Sequence, residues 1–245
     1  MVKLKSILCL TMILCCLLFF SVLGTAASFF DALELSLEKS IGEDTYQSII
    51  AEKKVVHLPE KETARLNSIF TRLVNCCSRS QELSFGLTVV KDETVNAFAL
   101  PAGYIFIHTG LITFAQSDGE IAGVLAHEIA HVDRKHSMNM IKRQLGMSLI
   151  LRLLFDPEES PEVLNRIGNI AINLAQLGYS REDEFEADRY GVYFMEEAGY
   201  QRTDILNFWH RMQAASGGEK NPAFLQLFST HPPTTERVKR IQALP

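Results

Sequence analysis

The feature that most constrains this chain is the pentapeptide His127-Glu128-Ile129-Ala130-His131. On an α-helix, residues four apart lie on the same face, about 6 Å apart along the axis. Two imidazoles at this spacing can hold one metal ion together, and the neighbouring Glu128 can reach a water bound to that ion. The alternative interpretation is a solvated helix that carries two surface histidines.

The sequence around the pentapeptide favours a buried helix. Ser117 and Glu120 have the Ser-x-x-Glu spacing of a capping box, which predicts a helix that starts there and runs to about Lys135 or beyond. Buried histidines beside a carboxylate need a partner, so this context favours a metal site. The apolar residues that flank the motif are Ile121, Val124, Leu125, Ile129 and Val132.

An acidic segment downstream supplies candidates for the third protein ligand that a catalytic metal needs. Glu184 and Asp188 lie four apart on a predicted helix, so they share a face. One carboxylate can bind the metal while the other accepts a hydrogen bond from a ligating imidazole. The alternative is an acidic solvated face, because Glu182, Asp183 and Glu186 lie in the same segment.

The remaining pattern predicts an α+β domain that is predominantly helical, with about three strands. Residues 85–90 are rich in β-formers and predict a short strand. Residues 95–108 predict a hairpin around Pro101-Ala102-Gly103, where proline and glycine favour a turn. The predicted helices outside the metal-binding motif cover residues 29–54, 60–79, 162–178, 181–198, 202–214 and 233–243.

The start of the chain predicts export. Lys3 and Lys5 precede an apolar run from Ile7 to Leu23, and small residues follow at positions 24–28. This order is typical of a secretory signal peptide, which we place at residues 1–27. The alternative is a retained anchor in the inner membrane, because the run is at the short edge of spanning length. Either way, we expect the main domain across a membrane from the cytosol.

Composition limits the remaining possibilities. The chain is 47% hydrophobic and 22% charged, which excludes disorder. Its formal charge of −5 becomes −7 when the leader is removed, which argues against a nucleic-acid partner. We expect a helical lead-in over residues 28–59 and one domain over 60–245. Cys76 and Cys77 are neighbours, so the domain is not a disulfide scaffold, and both are expected to be small residues on a helix.

Four motifs stand in order along the chain: Val95–Gly103, His127–His131, Ser180-Arg181 leading to Glu184-x-x-Ala187-Asp188, and Ser229–Pro233 with Arg237. Together they give residues 60–243 a specific resemblance to the gluzincin peptidases of family M48. One departure is the turn Pro-Ala-Gly, where many members have Pro-Gly-Gly, but Ala102 is expected to touch no catalytic group.

The resemblance implies a zincin-type domain with a small three-stranded sheet and an active-site helix that carries the HExxH motif. It assigns one Zn²⁺ per chain to His127, His131 and Glu184, and it makes Asp188 the acceptor for a ligating imidazole. Zinc would then lower the pKa of a water and polarise the scissile carbonyl, and Glu128 would act as the general base.

The resemblance offers two alternative roles for His231, because a His-Pro segment lies near the metal in this family. It either stabilises the oxyanion or occupies the open zinc position at rest. The alternative is a surface residue that precedes a helix at Pro232-Pro233. The other histidines of the domain are expected to be surface or core residues, namely His57, His108, His136 and His210.

The expected substrate is an extended polypeptide. Residues 104–108 are expected to pair with it as an edge strand does, through backbone hydrogen bonds that make weak sequence demands. Such pairing favours unfolded chains over a specific motif. The residues expected to bind substrate are Asn96, Ala97, Tyr104 and Phe106.

The length and the leader are most similar to the BepA-like periplasmic branch of the family. We therefore expect an exported zinc endopeptidase that removes unfolded or misassembled envelope proteins, with envelope or outer-membrane assembly proteins as partners. The alternative is a chaperone-like assembly factor with a latent zinc site, although the intact Glu128 favours an enzyme. In a third interpretation, residues 138–155 dock onto a membrane instead of packing in the core or over the site.

Overall fold

The computed structural model describes residues 29–146, 169, 178–216, 222–232 and 235–245. The predicted signal peptide, nearly all of the predicted helix at 162–178 and residues 147–155 lie outside these ranges. Residues 39–245 belong to one compact unit, and residues 1–38 belong to another. Among the described residues, no helix has both the length and the apolar character needed to cross a bilayer.

The described elements alternate little, with the strands together near the middle of the chain. The strands are β1 (Gly86–Val90), β2 (Ala97–Ala99) and β3 (Tyr104–His108). The helices are α1 (residues 29–52), α2 (Glu60–Asn75), α3 (Thr109–Phe114), α4 (Asp118–Asp133), α5 (His136–Leu145), α6 (Arg181–Glu197), α7 (Arg202–Ser216), α8 (Pro222–Thr230) and α9 (Thr235–Gln242).

This architecture confirms the prediction of a mostly helical α+β domain with a small three-stranded sheet. The strand and the hairpin are where the sequence predicts them, while the short helices α3 and α8 were not predicted. Helix α2 ends at Asn75 instead of residue 79, because the residues that follow it turn to bind Asp133 at the end of α4. Cys77 and Ser78 contact the Asp133 carboxylate at 3.1 and 2.7 Å.

The sheet has the order β1-β3-β2. Strand β3 pairs in parallel with β1, with Thr88 opposite Phe106, and antiparallel with β2, with Phe98 opposite the same residue. The prediction that residues 104–108 offer a free edge is therefore wrong, because both edges of β3 are occupied. The sequence of the hairpin carries no local signal that the earlier strand β1 pairs with β3.

Helix α4 is the centre of the domain. Fifteen of its sixteen residues, Gly119 to Asp133, are buried, and Ser117 caps its first turn by accepting a hydrogen bond from the Glu120 amide. It packs against α2, α6, α7 and strand β2. Glycines permit the close approach, since a Cβ on Gly123 would lie 2.7 Å from the Cβ of Ile205 on α7. The buried helix therefore carries the metal-binding motif into the core.

Helix α5 covers the first part of the segment considered for membrane docking. Its Met138 and Ile141 are buried within the protein. The apolar side of the described part therefore packs within the protein, while residues 147–155 lie outside the described ranges. A cluster of buried apolar residues joins the sheet to α1, and it consists of Phe98, Leu100, Phe106, Val90 and Ile49 of α1.

Candidate metal centre

Helix α4 presents both histidines of the pentapeptide on one face. The Nε2 atoms of His127 and His131 lie 3.0 Å apart, and both rings are buried. Glu128, on the next position of the helix, is 1% exposed. The spacing of four residues therefore brings two imidazole nitrogens close enough together to bind one metal ion, as the sequence predicts.

Helix α6 supplies a carboxylate to the same point. Ser180 and Asp183 form a capping box that starts this helix, so Glu184 lies in its first turn. Its Oε2 is 3.4 Å from His127 Nε2, and its Oε1 is 3.4 Å from His131 Nε2. A Cβ on Gly191 would lie 3.1 Å from the His127 amide nitrogen, so this glycine lets α6 approach α4 closely.

His231, at the end of α8, completes the cluster. Its Nδ1 lies 3.2 Å from His127 Nε2 and 3.0 Å from Glu184 Oε1, while its Nε2 lies 3.4 Å from Glu128 Oε1. The ring is 2% exposed, so the interpretation of His231 as a surface residue is wrong.

The donor set fits a metal ion. One atom each from His127, His131, Glu184 and His231 lies within 4.8 Å of the others, and all four residues are buried. Three imidazoles and a carboxylate are ligands that zinc accepts. Lone pairs that converge at such distances in a buried site call for a cation between them. The cluster can therefore bind a metal.

Asp188 and Arg237 surround the ligands from the far side. Asp188 Oδ1 lies 3.1 Å from His127 Nδ1, the nitrogen that faces away from the cluster. Arg237 donates two hydrogen bonds to the Asp188 carboxylate, at 2.7 and 2.6 Å, and its Nη1 lies 2.8 Å from Glu184 Oε2. Asp188 thus occupies the position predicted for it, while Arg237 orients both carboxylates.

Burial and neighbouring charges together shift the pKa values of the cluster's members, and the direction of the shift differs between them. Burial disfavours the charged form of His127, but Asp188 and Glu184 overcome this effect and raise its pKa to about 9. Burial holds the pKa of His131 well below its usual value, and the positive charge on His127 adds to this effect. Burial also raises the pKa of Glu128. Metal binding at His127 therefore releases a proton.

Two residues that the sequence did not single out contact His131. The Tyr179 ring stacks on the His131 ring, with centroids 3.8 Å apart and planes inclined by 15°. His136, expected to be a plain surface or core residue, lies with its Nδ1 2.8 Å from His131 Nδ1. A histidine five residues after the motif is the signal that could have identified the second contact. The first contact spans 48 positions and has no local signal.

The four residues expected to bind substrate lie in different environments. Phe106 is fully buried in the central strand, and Tyr104 is half-buried and hydrogen-bonded to Glu43. Asn96 and Ala97 are buried on the β2 side, where α4 packs. Asn96 and Ala97 therefore lie at a strand that packs against the helix of the pentapeptide.

The chain is similar to known proteins over most of its length. The model of peptidase family M48 matches residues 60–244. The mitochondrial metalloendopeptidase OMA1 of Schizosaccharomyces pombe is 30% identical over 216 residues, which cover 87% of this chain and 62% of that protein. The beta-barrel assembly-enhancing protease of Escherichia coli K12 is 23% identical over 220 residues, covering 86% and 44%.

A shorter bacterial protein is also similar. The metalloprotease YcaL of Escherichia coli K12 is 29% identical over 156 residues, which cover 63% of this chain and 59% of that protein. The chain thus spans less than two thirds of the length of each of these relatives. The family match covers all the described residues of the candidate metal centre.

Proposed function

Because the chain belongs to peptidase family M48, we propose that it is a zinc-dependent endopeptidase. The observation that carries this proposal is the buried convergence of His127, His131 and Glu184, with Glu128 beside them. When bound at these three ligands, zinc supplies a Lewis acid for the scissile carbonyl and a lower pKa for a coordinated water.

Glu128 performs the proton transfers in this proposal. Its buried carboxylate takes a proton from the attacking water and delivers it to the nitrogen of the leaving amine. Burial raises its pKa, which makes it a stronger base than an exposed glutamate. Asp188 holds His127 in the tautomer whose Nε2 carries the lone pair that faces the cluster.

We place the substrate on the outer edge of β2. Asn96 and Leu100 use their backbone groups toward β3, since His108 N donates to Asn96 O and Leu100 N donates to Tyr104 O. In an antiparallel pair the intervening residues, Ala97 and Ala99, point their backbone groups the other way. The Ala99 backbone is close enough to Glu128 to lower the pKa of its carboxyl, against the larger effect of burial. A polypeptide added to this edge would thus lie beside the general base.

We propose that the substrates are unfolded or misassembled envelope proteins, and that the protein is exported, with the periplasm as its compartment. Support comes from the apolar leader, from backbone pairing that makes weak sequence demands, and from similarity to a protein named as a beta-barrel assembly-enhancing protease. The same similarity points to envelope or outer-membrane assembly proteins as partners.

A chaperone-like assembly factor with a latent zinc site is the second candidate function. The position of His231 favours it, because its Nδ1 lies within the ligand cluster, where it competes with water and substrate. The two candidates differ in whether Glu128 carries out turnover.

Zinc analysis and casein digestion on the same preparations test the proposal. Wild type should contain about one zinc per chain, as a site with three protein ligands retains. Glu128→Gln should keep that zinc and lose hydrolysis by about 10²–10⁴-fold, since it keeps the side-chain shape without the base.

Glu60→Gln is the matched control, because Glu60 is exposed in the first turn of α2, and it should leave both readouts unchanged. Wild type that retains no zinc would refute the metal site. Zinc-loaded wild type that digests no more casein than Glu128→Gln would favour the assembly factor.

A further inference from the structure

We propose that His136 is a positioning residue of the metal centre. It accepts a hydrogen bond from His131 and so fixes the tautomer and ring orientation in which His131 binds the metal. This inference rests on the proposed function, because it assumes a metal at His131. Its first support is geometric, since the two Nδ1 atoms lie 2.8 Å apart and His136 is 1% exposed.

The backbone between the two histidines adopts an uncommon conformation that brings them together. Helix α4 ends at Asp133, and α5 begins at His136 after Lys135, whose φ of 56° and ψ of 31° are left-handed. A residue with a side chain is disfavoured in this region, and such conformations persist where the surrounding structure requires them. The turn at Lys135 brings His136, the first residue of α5, against His131 in the last turn of α4.

The polar contacts permit one assignment of the ring protons. His131 must present a lone pair on Nε2 to a metal, so its Nδ1 carries the proton. The Nδ1 of His136 must then accept that proton, which leaves its own proton on Nε2. Glu186 Oε2 lies 3.3 Å from that atom and can accept the proton, and the Asp183 carboxylate lies farther away, with its Oδ1 at 3.8 Å. Donor meets acceptor at each step.

The two zinc-binding histidines are thereby oriented by different chemistry. His127 faces a carboxylate, Asp188, whereas His131 faces a neutral imidazole that is itself oriented by Glu186. The Glu186 carboxylate is also held from the other side, by Arg134 Nε at 3.0 Å. The series therefore runs from the buried His131 and His136 to the partly exposed Glu186 of α6.

Metal affinity, measured by competition with a chromophoric chelator, tests the series without relying on turnover. His136→Phe keeps a ring but removes the acceptor, so it should weaken zinc binding about 10–100-fold. His136→Asn places Oδ1 near the original Nδ1 and should recover most of the loss, to within about tenfold of wild type. His210→Phe makes the same change at an exposed histidine of α7 and should leave the affinity unchanged.

Ring-nitrogen NMR of zinc-loaded, ¹⁵N-histidine-labelled wild type gives a second readout that needs no variant to fold. His136 should be the neutral tautomer with its proton on Nε2, and His131 the tautomer with its proton on Nδ1. A proton on Nδ1 of His136, or wild-type affinity in a folded His136→Phe, would overturn the inference while leaving the proposed peptidase intact. Wild type that binds no zinc would overturn both.

Discussion

Arg237 balances the charge of the buried carboxylates behind the metal ligands. Its guanidinium binds Asp188 through two hydrogen bonds and contacts Glu184, and all three groups are buried. A buried carboxylate that loses such a partner costs several kcal/mol, on the order of 3–5. These contacts hold the pKa of Asp188 at about 2 against the effect of burial. The acceptor for His127 is therefore ionised throughout the physiological range.

His231→Ala should raise the basal cleavage of a quenched peptide. The reason is that the His231 ring lies among the ligand atoms, where a free imidazole competes with water and substrate for the metal. Steady-state cleavage by wild type, His231→Ala and the double variant with Glu128→Gln measures this effect.

His210→Ala, on the exposed face of α7, is the control and should behave as wild type. A fall of about 10²–10³-fold in His231→Ala would instead identify an oxyanion stabiliser. Equal rates would assign His231 neither role.

Acid should destabilise the protein partly through His108. Burial lowers the pKa of this histidine to about 4, although nearby Asp92 opposes the shift. Its ring is fully buried and hydrogen-bonded to Thr94 at 2.7 Å. The unfolded chain, with a pKa of about 6.5, binds the proton more tightly, so the free energy of unfolding falls as the pH drops from about 6.5 to 4. The largest loss in the free energy of unfolding that His108 can cause is about 3 kcal/mol.

Urea unfolding of metal-free protein at several pH values measures this dependence. His108→Gln cannot titrate, so its free energy of unfolding should fall less steeply over the same window. The exposed His57→Gln should follow wild type. Parallel pH profiles for wild type and His108→Gln would contradict the assignment.

Helices α4, α6 and α7 determine how precisely the site is held. Glycines stand where α4 meets its neighbours: Gly123 faces Ile205 of α7, and Gly191 of α6 faces the His127 backbone. Close packing of this kind fixes helix positions, because a side chain at either glycine would displace a neighbour. Helix α4, which carries His127 and His131, is thus in direct backbone contact with α6, which carries Glu184.

Gly123→Ala should lower the free energy of unfolding by about 1–3 kcal/mol through overpacking. The added Cβ would lie 2.7 Å from the Ile205 Cβ, an atom that cannot rotate away. Alanine favours a helix over glycine by roughly 0.5–1 kcal/mol, which offsets only part of this loss. Urea denaturation gives the values. Gly86→Ala adds the same methyl with nothing within 4 Å and should change stability little; a neutral or stabilising Gly123→Ala would show that α7 can move.

At the scale of the whole molecule, the family match covers residues 60–244 and leaves the predicted leader and the predicted helical lead-in outside. This chain covers 62% of OMA1 of Schizosaccharomyces pombe. Export stays a prediction, to be tested on the protein expressed from Met1.

The exported chain should be shortened by about 26 residues, because small residues follow the apolar run. Mass spectrometry of the mature N-terminus measures this. Replacing Ala26 and Ala27 by leucine removes the two alanines of the expected cleavage site and should leave the leader attached. A wild-type protein that begins at Met1 and is extracted only by detergent would show that the segment is an anchor.

Local patterns predicted the parts of the site that lie on single elements. The spacing of His127 and His131 follows from the helical period, the capping signal at Ser117 places the helix that carries them, and the helix predicted over 181–198 matches the one that carries Glu184. The hairpin was equally readable from its turn residues. In each case the contacts that decide the structure lie within a few positions of one another.

The tertiary structure alone decided which of these elements meet. It placed β1 beside β3, which closed the edge expected for substrate and left β2 as the candidate. It brought His231 to His127 across 104 positions and Arg237 to Asp188 across 49. It also set His136 against His131 through a left-handed Lys135. Such contacts depend on how buried helices pack, and packing is set by the shapes of many side chains together instead of by any local period.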